Sequence, residues 1–99
     1  MIRHVVSWKL AATTPAEKDA ATATIREALE SLPPLISEIR SLQVGRNVAY
    51  PDDNWDVVLI ADYDSLDGLE AYQVHPEHQR IVSIIKPLTV ARANVDFEL

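Results

Sequence analysis

Ile2-Arg3-His4-Val5-Val6-Ser7-Trp8-Lys9-Leu10 is the stretch from which the fold is read. It is rich in β-branched and aromatic residues and holds no glycine or proline, which is the composition of a strand. Alternation puts Ile2, His4, Val6, Trp8 and Leu10 on one face, and Arg3, Val5, Ser7 and Lys9 on the other. Apolar residues sit in the middle of both faces, so the strand is expected inside a sheet with something packed on each side.

Working outward, Thr14-Pro15-Ala16-Glu17 reads as a helix start: Thr14 as N-cap, Pro15 in the first turn and Glu17 completing a capping box. Ala20, Ala21, Ile25, Ala28, Leu29 and Leu32 continue it at helical spacing, and Pro33-Pro34 stops it. A second strand is expected over Ile39 to Val48, where Gly45 predicts a bulge or a close backbone approach. Tyr50-Pro51-Asp52-Asp53-Asn54 is turn chemistry, and Trp55 to Tyr63 is a third strand, apolar on both faces. Ser65 caps a short helix that runs to Val74, Pro76 opens another that runs to Ile85, and Leu88 to Phe97 forms the last strand.

The order β-α-β-β-α-β, without repeat or linker, fits one domain over residues 1–99 of the α+β class. It is the ferredoxin-like plan, a four-stranded antiparallel sheet with its helices on one face. On the last strand Ala91, Ala93, Val95 and Phe97 are expected to pack on the helices, leaving Val90, Arg92, Asn94 and Asp96 on a face that tolerates polarity. The opposite sheet face is expected to carry His4, Val6 and Trp8 with Leu42 and Leu59 or Val58. No helix remains to cover that face, so a homodimer with sheets face to face is the economical arrangement.

With 47% hydrophobic residues the chain is globular, and its net charge of −6 argues against nucleic acid or an anionic membrane as partner. There is no cysteine, hence no thiolate chemistry or disulfide. No signal-peptide pattern or membrane-length apolar run is present, which makes a cytoplasmic location the expectation. Chemistry concentrates at Tyr72-Gln73-Val74-His75-Pro76-Glu77-His78, a phenol and two imidazoles at a junction between helices. Histidine is the side chain best suited to exchange protons near neutral pH. His75, before a proline at a helix start, suits a capping role.

Ile2-Arg3-His4-Val5-Val6, the lead-in Tyr63-Asp64-Ser65-Leu66-Asp67-Gly68-Leu69-Glu70-Ala71-Tyr72, His75-Pro76-Glu77-His78 and the ending Val95-Asp96-Phe97 together resemble the stress-responsive A/B barrel domain (Dabb) family. The resemblance covers nearly the whole chain and implies a dimeric α/β barrel enclosing a small-molecule cleft in each subunit. One plant branch is a polyketide cyclase that closes its chain by aldol condensation without a cofactor. Its catalytic tyrosine and histidine correspond to Tyr72 and His78, and its first-strand histidine to His4.

The resemblance makes His78 the candidate base and Tyr72 its partner, in cyclase- or lyase-type chemistry on a keto or aromatic acid. His4, Trp8, Arg92 and Asn94 are the candidate ligand-binding residues. Asp56-Val57-Val58-Leu59 lacks a histidine that the plant enzyme carries, and Arg92 and Asn94 make the cleft more polar. Arg92 suits either the carboxylate of a small organic acid or an ion pair across a dimer. A non-enzymatic stress-related dimer and a cofactor-free monooxygenase are the alternative readings. No cofactor is expected. A metal is not expected either, because His4, His75 and His78 lack ligand spacing, and Asp52 and Asp53 read as turn residues, leaving Asp56 and Asp62 as further oxygen donors for magnesium.

Overall fold

The computed structural model describes all 99 residues. Its elements are β1 (Ile2–Leu10), α1 (Pro15–Glu30), β2 (Ser41–Arg46), β3 (Val57–Tyr63), α2 (Leu66–Val74), α3 (Pro76–Ile85), a 3-10 turn (Lys86–Leu88) and β4 (Thr89–Glu98). The sheet is antiparallel in the order β2-β3-β1-β4, so β1 and β3 are central, as their two-sided apolar character requires. This is the expected ferredoxin-like α+β fold. No helix is long and apolar enough to cross a membrane.

Local chemistry explains where elements begin and end. Thr14 Oγ1 accepts the Glu17 N–H at 3.2 Å, but no return bond from the Glu17 carboxylate forms, so half of the expected capping box is present. Helix α1 stops at Glu30, short of Leu32, because Pro33 disfavours helical backbone at the residue before it. Strand β2 is shorter than the expected Ile39–Val48. After Arg46, the Asn47 N–H turns to the Asp56 carbonyl, and Asn47 and Asn54 side chains both donate to the Ala49 carbonyl. These bonds close a turn in which Tyr50 takes φ 47°. The β2–β3 register is regular at Gly45, and a Cβ there would lie 3.1 Å from Val58 Cγ1, so the glycine serves close approach.

The two sheet faces are assigned the other way round from the expectation. Cross-strand register places His4 beside Ala61 and Asp96, Val6 beside Leu59 and Asn94, and Trp8 beside Val57 and Arg92. These rows lie under the helices: His4, Val6, Trp8 and Leu59 are buried with Ile25, Leu29, Ile81 and Ile85 in one core. Such fully buried aliphatic side chains contribute roughly 1.5–3 kcal/mol each. Ala91, Ala93, Val95 and Phe97, expected against the helices, lie instead on the open face with Val5, Val58 and Ile60. Polar residues on β4 are compatible with the helix side because β4 is an edge strand and is mostly exposed.

One polar row crosses the open face. Arg3 and Ser41 both stand directly opposite Asp62. Arg3 donates two bonds to the Asp62 carboxylate at 2.9 and 3.0 Å, and Ser41 Oγ donates to it at 2.9 Å. The Arg3 bond holds the Asp62 carboxyl below the usual carboxylate range, with burial opposing and Ser41 assisting. A carboxyl lowered in the folded state adds stability above its unfolded pKa and loses it as pH falls through the folded value. Chemical denaturation from pH 6 downward is therefore expected to show stability falling below about pH 4, with a smaller acid-dependent loss in Asp62→Asn. An unchanged pH profile in that variant would remove Asp62 from the account.

Candidate functional site

The helix junction builds the site. Pro76 forces His75 into extended backbone (φ −65°, ψ 137°), which ends α2 and starts α3. His75 Nδ1 then accepts the Glu77 N–H at 3.0 Å, so this imidazole caps α3. The break leaves the Gln73 carbonyl, in the last turn of α2, without a helical partner. His78 Nδ1 at 3.1 Å and Gln79 Nε2 at 2.8 Å take it up. A carbonyl only accepts, so His78 carries its proton on Nδ1 when neutral. Nε2 is then left with a free lone pair.

His78 borders a cavity of about 400 Å³ between the helices and the sheet. Also on its wall are His4 and Trp8 from β1, Tyr72 from α2, Arg92 from β4 and Lys86 from the 3-10 turn. Five of the sequence-derived candidates thus meet in one space, although they come from four elements. Asn94 does not join them: it sits opposite Val6 on exposed β4, outside the cavity wall. The remaining surface is largely aliphatic, including Leu59, Ile81 and Ile85.

The Tyr72 ring packs on His78 with centroids 4.3 Å apart and lies edge-on to His4 at 6.1 Å. Burial pushes the Tyr72 phenol up to about 12, although Tyr63 and the Arg92 charge pull the other way. It is therefore a neutral hydrogen-bond donor throughout the neutral range. Burial likewise holds the His78 imidazole below its ordinary value; the Gln73 carbonyl opposes this, while the charges of Arg92, His4 and His75 add to it. At neutral pH His78 is a neutral base beside a neutral donor. That pairing is suited to removing a proton next to a carbonyl and stabilising the oxygen anion that results.

Two residues escaped the sequence reading. Asp96 forms a close pair with the buried His4, Oδ1 against Nδ1. Its signal was the register of β1 with β4, which puts the two side chains directly opposite on one face. Tyr63 lies behind the site, its ring 5.1 Å from Tyr72 and 6.4 Å from His4. Its hydroxyl is buried and makes no hydrogen bond of normal geometry, although it lies close enough to the Tyr72 phenol to act on it. An unsatisfied buried donor costs about 1–3 kcal/mol, so Tyr63→Phe is expected to raise the unfolding free energy by roughly 1 kcal/mol, read by urea denaturation. A loss of stability would mean that the hydroxyl has a partner, such as an enclosed water.

No group of three or more histidine, aspartate or glutamate side chains gathers to hold a metal ion. Of the acidic candidates, Asp56 accepts from the Leu10 N–H and pairs with Lys18, Asp62 is held by Arg3 and Ser41, and Asp52 and Asp53 are exposed in the turn.

A family model described as the stress responsive A/B barrel domain matches residues 2–99. The chain belongs to this family, Dabb. No curated protein matches it in sequence. Among solved structures, a dimeric protein of unknown function with a ferredoxin-like fold from Bacteroides fragilis is 35% identical at TM-score 0.88, covering 99% of this chain and 95% of its own. A dimeric ferredoxin-like protein of unknown function from Thermobifida fusca is 32% identical at TM-score 0.81, with 99% and 90% covered. A hydroxynitrile lyase from Passiflora edulis is 12% identical at TM-score 0.77, with 97% and 90% covered, a likeness of fold alone.

Proposed function

We propose that this Dabb protein is a cofactor-independent acid–base catalyst acting on a small carbonyl compound. The observation that carries this is the cavity-lining pair of a neutral His78, its Nδ1 committed to the Gln73 carbonyl, and a neutral Tyr72 packed against it at a tilt. His78 Nε2 takes a proton from the carbon next to the carbonyl. The C–H electron pair becomes the C=C bond of an enolate, the carbonyl π pair moves onto oxygen, and the Tyr72 O–H donates to that oxygen as its charge develops. This enolisation opens an aldol-type cyclisation; in the lyase direction C–C cleavage yields the same enolate, and His78 returns the proton to carbon in the last step. The His4–Asp96 pair fixes the imidazole behind Tyr72.

The working unit in this reading is a homodimer, the open sheet faces packed together. The dimeric relatives from Bacteroides fragilis and Thermobifida fusca support it, as does the apolar set Val5, Val58, Ile60, Val95 and Phe97 left uncovered in one copy.

A purely structural role for the junction is the competing reading, favoured by the bond that ties His78 to the Gln73 carbonyl. Proton exchange decides between them. Phenylacetone in D₂O, followed by NMR, is expected to lose its methylene signal faster with protein than with an equal concentration of free imidazole. No acceleration over free imidazole would leave the structural reading standing.

A further inference from the structure

The chain has nine lysine and arginine residues against fifteen acidic ones. Six of the nine, Arg3, Lys18, Arg26, Arg40, Arg46 and Arg80, are ion-paired with aspartate or glutamate. Lys9, Lys86 and Arg92 have no acidic partner. Two of these three, Lys86 and Arg92, border the cavity, and no aspartate or glutamate does. In a protein of net charge −6, these two exposed cations give the apolar cavity a positive rim with no acidic group on its wall. A cleft of one sign with low-dielectric walls concentrates ligands of the other sign.

Position sharpens the point. Arg92 stands directly across from Trp8, and Lys86 follows α3, the helix that presents His78. The Arg92 charge reaches inward far enough to act on both Tyr72 and His78. An arginine fork matches a carboxylate in plane, and a nearby ammonium adds a point charge. The aliphatic lining suits a ligand with a single anionic end and an apolar body.

We infer that the cavity takes a small monocarboxylate, its anion held by Arg92 and Lys86, its apolar body along Trp8, Leu59 and Ile85, and its far end toward Tyr72 and His78. This names the substrate class of the site proposed above and rests on that reading only for what happens at the far end.

The test uses phenylacetate against the neutral, nearly isosteric phenylacetamide, by calorimetric titration of the full chain. A charge-assisted contact contributes about 1.5–3 kcal/mol net. Phenylacetate is therefore expected to bind at least about tenfold more tightly. Arg92→Ala with Lys86→Ala is expected to remove that preference, weakening phenylacetate at least about tenfold more than phenylacetamide, with an unchanged circular dichroism spectrum as the folding control.

Equal affinities, or no saturable phenylacetate binding, would overturn the inference. So would inorganic phosphate displacing phenylacetate with similar affinity. A sedimentation shift of the double variant toward a smaller species would assign the cations to an interface and overturn it too. Carboxylate preference without phenylacetone exchange would leave the subsite standing and remove the proposed chemistry. Exchange without carboxylate preference would do the reverse.

Discussion

His78→Asn is expected to lower the protein-catalysed exchange of phenylacetone protons by at least about a hundredfold, the usual contribution of a positioned general base. Asparagine is the informative choice. Its side-chain amide can replace His78 Nδ1 as donor to the Gln73 carbonyl, a bond of 3.1 Å in the native chain. The helix junction then keeps its satisfied carbonyl, and the melting temperature should stay close to that of the wild type. What asparagine cannot supply is the second ring nitrogen with its lone pair. A rate that survives this substitution would mean that His78 is a capping residue and the base lies elsewhere.

The pH profile supplies an independent check on the same group. Burial holds the His78 pKa below its ordinary 6.5, so the basic form persists to lower pH than free imidazole allows. Exchange should be flat through neutrality and fall only on the acid side, with its midpoint below 6.5. No alkaline decline is expected below about 12, where Tyr72 would lose its proton and cease to donate. A bell centred near neutrality would contradict both assignments.

The fold was legible because the chain's punctuation is local. Pro15, Pro76 and Pro87 set helix starts and stops, Thr14 and Ser65 cap as their positions require, and two-sided strands read as central. Which sheet face meets the helices was not legible. Nothing in Ala91, Ala93, Val95 and Phe97 alone says whether they meet helices or open sheet, because both environments accept the same residues. The answer depends on which side of the sheet the helices pack, a long-range choice. Strand register, equally long-range, hid Asp96, whose value comes only from standing opposite His4. The meeting of His4, Tyr72 and His78 followed from the family resemblance, whereas spacing along the chain could not have shown it. Asn94 lies on the same face as Arg92 and opposite Val6, a residue of the cavity wall, yet on the exposed edge strand its own side chain is not part of that wall.

That reversal of faces has its largest consequence on the open face, where Ile60→Glu is expected to convert a dimer into monomers. Ile60 sits on central strand β3, directly across from Val5, and is half-buried even in a single copy. Around it Val58 is half-buried, while Val95 is 63% and Phe97 43% exposed, an apolar surface with no helix over it. In a two-fold interface each substitution appears twice. Burying an unpaired carboxylate costs several kcal/mol. Even about 4 kcal/mol in total would raise the dissociation constant by about a thousandfold.

Sedimentation at micromolar concentration reads the result directly, with Ala23→Glu on the exposed side of α1 as the charge-matched control that should remain dimeric. Glutamate at Ile60 points away from the cavity, since Val57, Leu59 and Ala61 are the β3 positions that share a face with Trp8, Val6 and His4. If the monomer keeps its exchange rate, each copy holds a complete site and dimerisation serves stability. If the rate falls with the association, the partner supplies something the cavity of one copy lacks. A wild type that sediments as a monomer would remove the sheet-to-sheet arrangement altogether and leave this apolar face in need of another partner.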